Sequence, residues 1–118
     1  MTAKKPSPAA LVQAFEDAAQ PCRGAVPRKM FGYPAAFING NMFAGLVRDS
    51  MVLRLSDKDR NAFLRLPGAK PFIAMKGRVM RQWAVVPPAM VKNGPRLKTW
   101  VRKAFTYGRS LPPKPPTR

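Results

Sequence analysis

Histidine is missing from this chain, cysteine occurs once, and no acidic residue follows Asp59. Each absence removes a class of chemistry. Without histidine no side chain titrates near neutral pH in its ordinary state, and histidine-based triads and zinc sites are excluded with it. Cys22 alone makes neither an internal disulfide nor a thiolate cage, the usage expected in a reducing compartment. Glu16 and Asp17 are neighbours, and adjacent side chains on a helix diverge by about 100°, so they form no catalytic carboxylate pair. The glycines are dispersed, and no Gly-rich string opens a helix to cradle phosphate. Nothing approaches the ~20 apolar residues of a membrane span. The Ala9-Ala10-Leu11-Val12 run behind Lys4 and Lys5 is broken by Gln13, Glu16 and Asp17, and so reads as an amphipathic helix rather than a signal peptide. These absences lead to the expectation of a cytoplasmic, non-enzymatic protein with no cofactor, no metal and no membrane association.

What is abundant is positive charge. Lys+Arg number 22 against Asp+Glu 5, a formal net charge of +17 with a sequence pI ≈ 11.6. Such a surface attracts polyanions over about one Debye length, ~8 Å at physiological salt. Nucleic acid is the most abundant of them. A basic surface that serves solubility alone accounts for the same number, and composition leaves both readings open.

At 118 residues and 46% hydrophobic content, the chain suits one domain with its own core. The expected division is a mobile segment over residues 1–7, a folded body over 8–110 and a Pro/Lys-rich tail over 111–118, extended as polyproline II. Leu11, Phe15, Ala18 and Ala19 follow helical spacing from Pro8 or Ala9 until Pro21 closes the element. Asn39-Gly40 lies between two apolar runs, Ala35 to Ile38 and Asn41 to Arg48, and tolerates the positive φ angles of a type I′ hairpin turn. A second turn at Asp49-Ser50 delivers a strand in which Met51, Leu53 and Leu55 share one face. Ser56 caps the next helix, Asp57 and Asp59 complement its dipole, and Pro67-Gly68 ends it. Phe72 to Met75 and Met80 to Val86 read as a hairpin through Lys76-Gly77-Arg78, and Pro87-Pro88 ends the sheet. After a short turn at Ala89 to Val91, Leu97, Trp100, Val101, Ala104 and Phe105 mark a core-facing helix from Pro95 to Tyr107. The fold class is therefore α+β, two layers, in the order α-β-β-β-α-β-β-α: an antiparallel five-stranded sheet, a three-strand meander plus a hairpin, packed with helices.

Several segments resemble one family. Lys29-Met30-Phe31-Gly32, the turn Asn39-Gly40-Asn41-Met42-Phe43-Ala44, and Met75…Gly77-Arg78…Met80…Trp83…Val86-Pro87 are similar to the TfoX/Sxy N-terminal-domain family. So is the ending Trp100-Val101…Ala104…Tyr107-Gly108-Arg109-Ser110-Leu111-Pro112. The likeness spans roughly Phe15 to Pro113, and the order and spacing of the segments carry it. It implies a single sheet with helices packed on it, and a place beside regulators of DNA-uptake competence that act with transcription machinery. It supplies no catalytic residues.

Binding residues are sought among the cations. Lys76, Arg78 and Arg81 cluster on the second hairpin, while Lys98 and Arg102, spaced i, i+4, are nearly in line with Arg109 on the last helix. Each is a candidate phosphate anchor, and each is equally a solvated surface charge. Along the last strand, Met80, Gln82 and Ala84 share one face and Arg81, Trp83 and Val85 the other. The second face is the more apolar, so Trp83 is expected in the core; an exposed Trp83 would instead be free to stack on an unpaired base. No element offers itself for reading base edges in a groove, so binding is expected to be electrostatic and weak in sequence preference. The expected partners are nucleic acid or a transcription-associated protein. The first rival is a protein–protein module, including a homodimer through a sheet edge or a methionine patch formed from Met30, Met42, Met51, Met75, Met80 and Met90; the second is an enzyme whose pocket the sequence does not disclose.

Overall fold

The computed structural model describes residues 7–30, 32–73, 77 and 79–113. Its elements run α1 (Ala9–Ala19), β1 (Val26–Met30), β2 (Tyr33–Ile38), β3 (Asn41–Val47), β4 (Ser50–Arg54), α2 (Asp57–Leu64), β5 (Lys70–Ile73), β6 (Val79–Val85), α3 (Pro88–Val91) and α4 (Gly94–Ser110). Among the described residues one antiparallel sheet forms, with six strands in the order β1-β2-β3-β4-β6-β5. The two-layer α+β architecture is the one the periodicity predicts.

The extra strand is β1. Val26-Pro27-Arg28-Lys29-Met30 holds a proline and two cations, and four of its five residues are exposed, so no apolar alternation announces it. The chain reverses at Gly32, whose φ of 84° is open to glycine, and Met30 then pairs with Tyr33. Proline and lysine are what blunt an edge strand against pairing with another chain. At the opposite edge β5 repeats the device with Lys70 and Pro71.

The turns show how short-range chemistry sets the register. Asn39 and Gly40 have φ of 53° and 82°, both positive as a type I′ turn requires. The next turn falls on Arg48-Asp49, one residue earlier than expected, with Val47 opposite Ser50. Arg48 accepts φ 57°, because shifting the pairing by one residue would turn fully buried Met51 and Leu53 out of the core. Ser56 caps α2 as predicted, its hydroxyl accepting from the Asp59 N–H at 3.3 Å.

The core lies between the sheet and the layer of helices. Met51, Leu53, Leu55, Ala84 and Phe43 are fully buried, facing Leu97, Val101 and Ala104 of α4. Gly108 brings α4 close to the sheet, because a Cβ there would sit 3.0 Å from Ile38 Cγ2 and 3.1 Å from Phe43 Cβ. Phe43 meets Phe105 edge to face at 5.4 Å, and Phe63 of α2 meets Trp100 in the same way at 4.9 Å. α4 thus crosses the sheet while α1 and α2 flank it. Asn41, a buried polar residue, donates from Nδ2 to the Pro112 carbonyl at 3.1 Å and ties the end of α4 to the start of β3.

Trp83 is not in the core. Leu53 pairs with Ala84, so the helix-facing side of β6 is the one carrying Ala84, and Trp83 with Val85 lies on the other side, half-buried. Hydrophobicity ranks the Trp83 face higher, but β4 sets the register. Gln82 is tolerated on the helix side because both ends of its amide are satisfied, one by Arg54 and the other by Tyr107. Of the methionines, Met51 and Met90 are core and Met30, Met42 and Met80 are half-buried on three different strands; Met75 lies outside the described residues.

Candidate functional site

Among the described residues positive charge is spread over many elements. Arg28 and Lys29 lie on one edge strand, Lys70 on the other, Arg48 in a turn, and Lys58, Arg60 and Arg65 on or next to α2. What distinguishes one region is shape. The N-terminal end of α2 stands beside the exposed side of α4, and between them runs a solvent-open groove of about 670 Å³. Lys98, Arg102 and Lys103 line it together with the hydroxyls of Thr99, Thr106, Tyr107 and Ser110; Asp59 is the one carboxylate in the lining.

The helical repeat builds this wall. Positions 99, 103, 106 and 110 recur at i, i+4, i+7, i+11, one exposed stripe of α4, and Lys98 and Arg102 border it. The opposite stripe, Leu97, Val101, Ala104, Phe105 and Gly108, is buried. Lys103 lies over the Trp100 ring, Nζ 5.6 Å from the centroid. Ring and ammonium therefore hold each other in place.

A second, smaller hollow of about 440 Å³ has Asp57, the first residue of α2, in its lining, next in the chain to Ser56 of the groove. Arg54, Asp57, Met80, Arg81, Gln82 and Trp83 line it. A hydrogen-bond chain joins the two: Arg54 Nε donates to Gln82 Oε1 at 2.8 Å, and Gln82 Nε2 donates to the Tyr107 hydroxyl at 2.8 Å. Arg60 Nε donates to the Trp83 carbonyl at 3.2 Å and so ties α2 to β6. Together the two concavities hold five cations and two carboxylates among the described residues.

Three of the six residues singled out from the sequence thus come together: Lys98 and Arg102 in the groove, Arg81 in the hollow. Arg109 does not line either. Its guanidinium lies over the Phe105 ring, 5.4 Å from the centroid. Lys76 and Arg78 lie outside the described residues. Sequence reasoning misses Arg54, Lys103, Gln82 and Tyr107. Lys103 is visible as a further cation on the exposed side of α4, whereas Arg54 of the hollow and Tyr107 of the groove are linked through Gln82 by contacts made across 28 and 25 residues.

Cys22 is buried at the end of α1 and takes no part in the lining. Burial raises its pKa above the ordinary 9.0, partly offset by the Arg102 guanidinium. The folded thiol therefore keeps its proton to a higher pH than the unfolded one. Its contribution to stability is complete below about pH 9 and is lost as pH rises through the raised folded value. Urea unfolding at neutral and alkaline pH should show that Cys22→Ala loses less stability on the alkaline side than the parent. Equal losses would contradict a raised thiol pKa in the folded chain.

The sequence profile of the TfoX N-terminal domain matches residues 17–107, from α1 through most of α4. Comparison with curated proteins gives no match.

Proposed function

The chain belongs to the TfoX N-terminal domain family, and on that premise we propose that it is a regulatory adaptor which holds nucleic acid in the groove between α2 and α4. The family is not one of known enzymes, so a binding role is the natural reading of the site. One observation carries the proposal: Lys98, Arg102 and Lys103 lie side by side on an open concave wall, among hydroxyl-bearing side chains and with a single acid in the lining. Ammonium and guanidinium groups neutralise phosphates while hydroxyls and backbone groups set the register of a strand, and neither reads sequence. The groove is shallow and open, which suits a polymer passing through it. Among the described residues no helix is long and apolar enough to cross a membrane, and a cytoplasmic site of action fits a nucleic-acid partner.

Titration of a labelled duplex and a labelled single strand at two salt concentrations tests this. Binding should weaken linearly on a log–log scale, by about 0.9 per phosphate contact on duplex DNA and about 0.7 on single strands. No binding at low salt would reject the proposal. Displacement of the oligonucleotide by polyglutamate at equal charge would reassign the groove to an acidic protein partner.

The rival reading is a homodimer or protein–protein module. The exposed side chains of Val26, Ile73 and Val79 favour it, but proline and lysine on both outer strands work against sheet-edge pairing.

A further inference from the structure

The groove and the hollow beside it differ in chemistry. The groove offers cations and hydroxyls, which suit phosphate and sugar; the Tyr107 hydroxyl is already engaged by Gln82. The hollow is lined by a half-buried indole, Trp83, two guanidiniums, Arg54 and Arg81, and a carboxylate, Asp57. We propose that this hollow takes one unpaired nucleobase against Trp83, so that the site prefers single-stranded nucleic acid to duplex. The inference rests on the nucleic-acid reading of the groove and narrows it.

Three features support it. The first is where the aromatic ring sits: Trp83 lies on the sheet side away from α4, half-buried and outside the core cluster. The second is size. About 440 Å³ is at the small end of ligand concavities, which span about 300–1,000 Å³, and has room for a nucleobase. The third is connection, because the Arg54–Gln82–Tyr107 chain holds the hollow at a set distance from the wall of α4. In a duplex the faces of the bases are occupied by their neighbours, so only a strand whose bases can splay out can use an aromatic platform. The Asp57 carboxylate and the guanidiniums provide an acceptor and donors for the base edge.

Binding of a thymidine homopolymer and of a mixed-sequence duplex is compared at about 0.1 M salt, for the parent, Trp83→Leu and Trp83→Phe. The expected result is tighter binding of the single strand by the parent. Trp83→Leu should weaken it at least about fivefold while leaving duplex affinity in place, and Trp83→Phe should restore most of the loss. In a Trp100→Phe background, Trp83 is the remaining indole, and its fluorescence should be quenched by the single strand alone. Equal affinities, equal losses on both ligands, or unquenched fluorescence with binding intact would overturn the base subsite and leave the electrostatic groove standing. Absence of binding to either ligand would overturn both readings together.

Discussion

Changing Lys98, Arg102 and Lys103 together to glutamate is expected to weaken nucleic-acid binding by roughly 10²–10³ near ~0.1 M salt and to flatten the duplex salt slope by about 2.7. Each cation that neutralises a phosphate releases condensed counterions, and that release supplies most of the affinity of a contact without base readout. Three anchors removed from one wall should therefore cost three contacts, with repulsion added by the new carboxylates. The fold should tolerate the change. All three side chains are exposed on α4, and glutamate forms helix about as well as lysine or arginine. The main structural loss is the ammonium over Trp100, about 0.5–1 kcal/mol. Two controls separate a groove from general basicity. Arg109→Glu alters the same helix, but Arg109 lines neither concavity and packs on Phe105, so its effect should be the small one of a distant charge. Asp59→Asn removes the groove's own carboxylate and should tighten binding, while loss of a charge from the first turn of α2 costs about 0.3–1 kcal/mol of stability. Should Arg109→Glu weaken binding as much as the triple change does, the whole-molecule field and not the groove would be the binding determinant.

Phe43→Ala is expected to remove about 3–5 kcal/mol of folding stability. Against the roughly 5–15 kcal/mol typical of a domain, that brings the chain close to unfolding. Phe43 is fully buried, meets Phe105 edge to face, and lies directly under Gly108 where α4 approaches the sheet most closely. Collapse of the surrounding residues onto the cavity is limited, because the helix already touches backbone-proximal atoms on either side of it. Phe37 is the proper comparison. It sits on neighbouring β2, half-buried, with the Arg28 guanidinium 5.1 Å above its ring. Phe37→Ala should therefore cost distinctly less in the same urea titrations. Equal costs for the two phenylalanines would mean that the helices do not cover the face assigned to them.

Most of the architecture is legible in residue spacing. The Asn39-Gly40 turn, the Ser56 cap and the apolar stripe of α4 are each set within a few residues, and all three stand where local chemistry puts them. The element that spacing does not announce, β1, is an edge strand whose proline and cations serve to keep other chains away; the features that protect it also hide its periodicity. Trp83 escapes the pattern for a related reason. Alternation divides β6 into two faces without saying which is inside, and residue hydrophobicity favours the wrong one. The helix-facing side is chosen by the pairing of Leu53 with Ala84, a partner 31 residues away in the chain.

The candidate site divides in the same manner. From composition and helical spacing come the cationic character of the chain, its lack of histidine chemistry, and a line of exposed positive charge on the last helix. Those properties depend on residue identity and on repeats of three and four, which survive without knowledge of the fold. The concave wall depends on α2 lying next to α4, and the joining of Arg54 to Tyr107 on a glutamine that faces the helix layer. Both arise from long-range packing, in which burial of Leu53, Phe63 and Leu97 selects one arrangement of the layers and places distant side chains side by side.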